Sequence, residues 1–126
     1  MTHTWILSTG RRCTLVARAL PFVPHYHVLS LGDGDGHPSA TEIDEAFALA
    51  HAAARSLGLG LFGDEQCFSV LFNGARTRRM PWPHFHLVPA RTVAEKHRAL
   101  LALSLKRWLR PVARALAPTR LAARRA

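Results

Sequence analysis

The strongest constraint on folding comes from residues 80–91, Met-Pro-Trp-Pro-His-Phe-His-Leu-Val-Pro-Ala-Arg, where one apolar residue separates His84 from His86. Neighbouring side chains on a β-strand point to opposite faces, so both imidazoles fall on one side while Phe85, Leu87 and Val88 supply packing. Such a pair on a rigid element offers a surface for an anion or a metal, because imidazole changes protonation readily near neutral pH. The plain alternative is a half-exposed strand carrying two solvated polar residues.

The remainder of the chain gives this strand its neighbours. Residues 4–8 (Thr-Trp-Ile-Leu-Ser) and 14–20 (Thr-Leu-Val-Ala-Arg-Ala-Leu) read as antiparallel strands joined by a turn at Gly10-Arg11-Arg12. After Pro21 and Pro24, residues 25–31 resume a strand on which His25 and His27 share a face. Set beside the strand of His84, they bring four histidines together, and imidazole chemistry then permits a transition-metal site of His25, His27, His84 and His86. The acidic loop at residues 32–36 begins Asp-x-Asp, but Pro38 stands where a calcium loop needs glycine, so no calcium site is read there.

Ser39 and Glu42 form a capping box, and Ile43, Phe47, Ala50, Ala54 and Leu57 recur at helical spacing down to Gly58 as the stop. Residues 58–63, Gly-Leu-Gly-Leu-Phe-Gly, follow a helix and lead to a strand, the reverse of the order a phosphate loop requires, and read as a connection. Residues 66–73 form a further strand, and the loop after it carries Arg76, Arg78 and Arg79, whose guanidinium groups suit phosphate. Beyond Pro89, Val93, His97, Leu100, Leu101, Leu105, Trp108 and Leu109 form the apolar stripe of a helix. Its polar side carries Lys106, Arg107, Arg110 and Arg114, and Pro111 ends or kinks it.

A chain of 126 residues accommodates one domain, read as residues 1–110 followed by a basic tail, 111–126. Hydrophobic residues at 48% and charged residues at 20% exclude wholesale disorder. The net charge of +9 points to phosphates, nucleic acid or an anionic surface as partners. Fifteen of the seventeen cations are arginine and ten lie at or after Arg91, which assigns any nucleic-acid or anionic-surface contact to the C-terminal tail. Cys13 and Cys67 make no zinc pattern and read as reduced thiols. With no signal-like start and no run of eighteen apolar residues, the expected compartment is the cytoplasm.

Residues 84–89, His-Phe-His-Leu-Val-Pro, resemble the second half of the His-φ-His-φ-His-φ-φ motif of the histidine triad (HIT) superfamily of nucleotide hydrolases and transferases. Residues 26–29, Tyr-His-Val-Leu, stand where members carry a Gly-His-φ-φ strand, and Phe72-Asn73-Gly74 resembles a strand end at which many have Asn-x-Gly. The resemblance covers residues 5–91. It implies an α+β fold: about five antiparallel strands, one main helix between strands 3 and 4, and a basic C-terminal helix.

By the same resemblance His84 takes the place of the nucleophile and would attack the α-phosphorus of a nucleotide to form a covalent nucleotidyl-histidine. His86 would hydrogen-bond a phosphoryl oxygen as charge develops. Trp82 takes the place of the first triad histidine, where its carbonyl can accept from the His84 ring. Arg78 and Arg79 fall where members carry glutamine and serine or threonine. His27, Asn73, Arg78, Arg79 and Trp82 are thus the candidate substrate-binding residues, no cofactor is required, and homodimerisation is implied. The competing expectation is a catalytically degenerate HIT-like domain that binds nucleotides or nucleic acid through its arginines.

Overall fold

The computed structural model describes residues 2–20, 22–32, 37–76 and 82–105. Among them the chain is α+β, with a five-stranded antiparallel open sheet and two helices. The strands are β1 (Thr2–Ile6), β2 (Arg12–Ala17), β3 (His27–Leu31), β4 (Phe68–Phe72) and β5 (His84–Pro89). Helix α1 (Ala40–Phe62) joins β3 to β4, and α2 (Val93–Ser104) follows β5. The sheet order is β1-β2-β3-β5-β4, so the histidine strand is interior and bonded on both sides.

The register divides the residues between two faces. Leu29 stands opposite Phe85 and also opposite Leu15, while Cys13 stands opposite Leu31. These side chains pack under α1 with Leu87 as the main core. The helix lies close because its buried stripe is small: Ala46, Ala50, Ala54 and Gly58 recur every four residues. Val28, Ser30, His84 and His86 alternate with that set and occupy the other face. One end of this second face is closed by α2, where Val88 packs with Ala99, Ala102, Leu20, Val23 and Tyr26.

The capping box read from the sequence is present, with the Glu42 N–H donating to Ser39 Oγ at 3.2 Å and the Ser39 N–H to Glu42 Oε1 at 3.0 Å. The stop is not Gly58. Helix α1 runs through that residue to Gly63, which caps it in the left-handed region at φ 72° and donates its N–H to Leu59 O. Gly58 instead serves close packing: a Cβ there would lie 2.8 Å from Asp64 O and 3.1 Å from Cys67 O, on the chain leading into β4. Phe47, expected on the buried stripe, is half exposed at its margin and meets Phe85 at a tilt of 50°, with ring centroids 5.9 Å apart.

The β1–β2 turn closes two residues earlier than the sequence suggested, through Gly10 at φ 88° and the Gly10 N–H to Leu7 O bond. A polar clamp explains the shift. Ser8 donates its N–H and its hydroxyl to Glu45, while Thr9 Oγ1 and Arg11 Nε donate to Glu42 Oε2 at 2.8 and 2.7 Å. These bonds tie the hairpin turn to the first turns of α1. The Ser39 N–H, the Arg11 guanidinium and the Thr9 hydroxyl together hold the Glu42 carboxyl at about 2, below its ordinary value. Residues 106–126, including Pro111 and the basic positions read as the tail, lie outside the described residues, as do 33–36 of the acidic loop.

Candidate functional site

The two histidines of β5 share a face as their spacing required. Their rings meet edge to face with centroids 4.7 Å apart, His84 opposite Ser30 and His86 opposite Val28 of β3. They line a cleft of about 540 Å³ together with Arg18, Tyr26, Ser30 and Trp82. That volume suits a small-molecule ligand of nucleotide size. Among the described residues no aspartate or glutamate lines it, so the donors there, guanidinium, hydroxyls and imidazoles, favour an anion.

Each imidazole is held at Nδ1. His84 Nδ1 lies 3.1 Å from Trp82 O. A carbonyl only accepts, so Nδ1 carries a proton, and in the neutral ring Nε2 keeps the lone pair. The contact spans two residues of chain, and its backbone is anchored at the strand entrance: Pro83 is buried, and its carbonyl accepts from the Leu31 N–H at 3.1 Å. His86 Nδ1 is hydrogen-bonded to the Tyr26 hydroxyl, and the two rings stack with centroids 5.8 Å apart at 14°. Both are buried, with 6% of Tyr26 and 8% of His86 exposed.

Trp82 lines the cleft and is 37% exposed, so an indole, not an imidazole, stands beside His84 on the amino-terminal side. His27 does not join this cleft. It pairs with Leu87, on the α1 face, and lines a separate cavity of about 340 Å³ with His3, Trp5 and Ser56, its Nδ1–H donating to His25 O at 2.7 Å. His25 precedes β3 with φ 61°, off the strand on which it was expected. The four histidines therefore do not converge, and among the described residues no group of three or more His, Cys, Asp or Glu is placed to hold a metal ion. Asn73 is exposed one residue beyond the Phe72–Phe85 pair and is not among the described residues lining the cleft. Arg78 and Arg79 lie outside the described residues.

No family model, curated protein or solved structure matches this chain. The site therefore has to be read from its own geometry. Two of its members were not among the residues expected at the site. Tyr26 sits two residues before Val28, on the face away from His25 and His27 in the strand expected over residues 25–31, and only the register of β3 against β5 makes that the face of His84 and His86. Arg18 follows β2 by one residue, and only the pairing of β2 with β3 brings it to the cleft. No helix among the described residues is long and apolar enough to cross a membrane.

Proposed function

We propose that the cleft carries out phosphoryl chemistry of the histidine triad kind, with His84 as nucleophile. The observation that carries this reading is the Trp82 carbonyl on His84 Nδ1. It leaves Nε2 as the attacking atom without a separate base to remove a proton. In the step, a bond forms from Nε2 to the α-phosphorus of a nucleotide while the bond from phosphorus to its leaving oxygen or nitrogen breaks, and the leaving group takes up a proton from solvent, which the attacking water of the second step returns. Water or another acceptor then displaces phosphorus from Nε2 and restores the imidazole. His86 stabilises the phosphoryl oxygen as charge grows, and Arg18, which lines the cleft, neutralises phosphate alongside the Arg78 and Arg79 of the motif resemblance.

Support comes also from the interior position of β5, which fixes both rings on a strand bonded on each side. Turnover of a panel of dinucleoside polyphosphates and nucleoside phosphoramidates, lost in His84→Ala, is the expected result. No turnover of any member by the native chain contradicts the enzyme reading. The second reading, nucleotide or nucleic-acid binding without turnover, is favoured by Trp82 in the first motif position. It predicts binding that survives His84→Ala and weakens steeply with salt, since released counterions drive phosphate contacts. Homodimerisation belongs to the same proposal and is checked by sedimentation.

A further inference from the structure

We propose that a second cavity, at the opposite end of β5 from His84, is a binding site for a small aromatic anion, separate from the His84 chemistry. It has a volume of about 420 Å³, within the range of small-molecule sites, and lies between the β2–β3 connection, the end of α1, the end of β5 and the first turns of α2. Its aromatic and charged groups are Phe22, His25, Phe62, Arg91, Glu95 and Arg98. Val23 and Val88 also line it and pack with Tyr26, so one cluster of buried side chains stands between this cavity and the His84 cleft.

The backbone is strained where it borders the cavity. Among the described residues Phe22 and His25 are the non-glycine residues at positive φ, 65° and 61°. A bulky side chain enters that region only where the surrounding structure holds it there, and such positions gather at ligand sites. The holding bonds here run from the Val23 N–H to Leu20 O at 3.2 Å and from the Arg18 N–H to Tyr26 O at 2.8 Å. They present the Phe22 ring, 76% exposed, at the cavity wall. A large apolar ring kept in water by strained backbone gains folding nothing; against the flat face of a bound ring it is covered.

Glu95 organises the cationic side. Its carboxylate accepts from Arg91 Nε at 3.2 Å and Nη2 at 2.9 Å, which sets the guanidinium carbon 5.3 Å from the centre of the Phe62 ring. Those bonds use one edge of the fork, and Nη1 remains a donor for a further group. Arg98 lies one turn beyond Glu95 on the same face of α2. The Arg91 N–H foremost, then its side chain, with the charge of Arg98 behind them, hold the Glu95 carboxyl below its ordinary value. Glu95 offsets one of the two guanidinium charges, and the other is left to balance an anionic head whose oxygens match the planar fork.

The test is an amide NMR titration of the native chain with phenylacetate and with phenyl phosphate, the tighter of the two naming the head group, beside uncharged benzyl alcohol and ring-free acetate. Saturable shifts are expected at His25, Leu61, Arg91 and Arg98 with His84 and His86 unmoved, and both controls should bind about tenfold more weakly. Arg98→Gln is expected to bring the anionic probes down towards the affinity of benzyl alcohol. Phe22→Gly, which removes the ring and suits positive φ, is expected to weaken the probes while its urea midpoint stays equal to the native one or rises. No saturable shifts, shifts confined to His84 and His86, benzyl alcohol binding as tightly as the anions, or affinity unchanged in either variant overturns the proposal. A lowered Phe22→Gly midpoint also overturns it, since the residue would then serve the fold. None of these readouts involves turnover, so their failure leaves the transfer reading standing.

Discussion

Replacing Gly58 by alanine sets two effects against each other, and the geometry decides which one wins. Within a helix, alanine is favoured over glycine by about 1 kcal/mol. At Gly58 the added Cβ would meet Asp64 O at 2.8 Å, Cys67 O at 3.1 Å and Cys67 C at 3.4 Å, all backbone atoms. Rigid backbone cannot rotate away as a side-chain tip does, so the upper end of the overpacking range, about 3 kcal/mol, applies. The net expectation is a loss of about 2 kcal/mol. Gly60, two residues on in the same helix, has nothing within 4 Å of its Cβ position. Gly60→Ala therefore keeps only the propensity gain of about 1 kcal/mol, and the two variants differ by about 3 kcal/mol. With a urea slope of about 1–3 kcal/mol/M, their unfolding midpoints separate by about 1–3 M. A Gly58→Ala midpoint equal to or above that of Gly60→Ala refutes the close contact between the end of α1 and the chain entering β4.

Glu42→Gln tests the clamp between the β1–β2 turn and α1. Because the Glu42 carboxyl is held at about 2 when folded against 4.5 ordinarily, its contribution is present above that ordinary value and is lost as pH falls towards about 2. The variant is expected to be less stable at neutral pH and to show a flatter decline across this acid window in urea midpoints; an unchanged acid limb contradicts the clamp. Cys13 is fully buried, and burial foremost, with Glu45 nearby, pushes its thiol up to about 11. It should resist alkylation at mildly alkaline pH until the chain unfolds, which peptide mass mapping after timed labelling checks; labelling of Cys13 at the rate of an unfolded control contradicts its place under α1.

How much of this was legible in the sequence follows from which contacts are local. The shared face of His84 and His86 needs only the two-residue period of a strand, and the Ser39–Glu42 box needs only three residues of chain. Cross-strand register is different in kind. His27 stands opposite Leu87, and a shift of one residue would have set it opposite His86 and on the cleft face. Nothing within residues 25–31 chooses between these pairings; the packing of Leu29 against Phe85 and Leu15 does.

Gly58 and Gly63 make the same point for helix ends. Both are glycines in one run, and either can follow a helical stripe. The left-handed turn falls at Gly63 because Gly58 is needed where the backbone of residues 64–67 approaches α1. Arg18 and Tyr26 flank the connection between β2 and β3, so their arrival beside His84 and His86 depends on the sheet having formed. A strand motif can announce its own histidine pair, while the groups that line the cleft with that pair come from distant chain and stay unreadable until the pairing is known.

The most direct measurement of the central proposal is capture of the covalent intermediate. Mixing the chain with a labelled nucleoside phosphoramidate or dinucleoside polyphosphate, quenching under alkaline denaturing conditions and mapping the label by peptide mass spectrometry is expected to place an acid-labile nucleotidyl group on His84. The adduct should be absent from His84→Asn. A substrate turned over with no protein-bound nucleotide, or an adduct on another residue that persists in His84→Asn, contradicts His84 as the nucleophile.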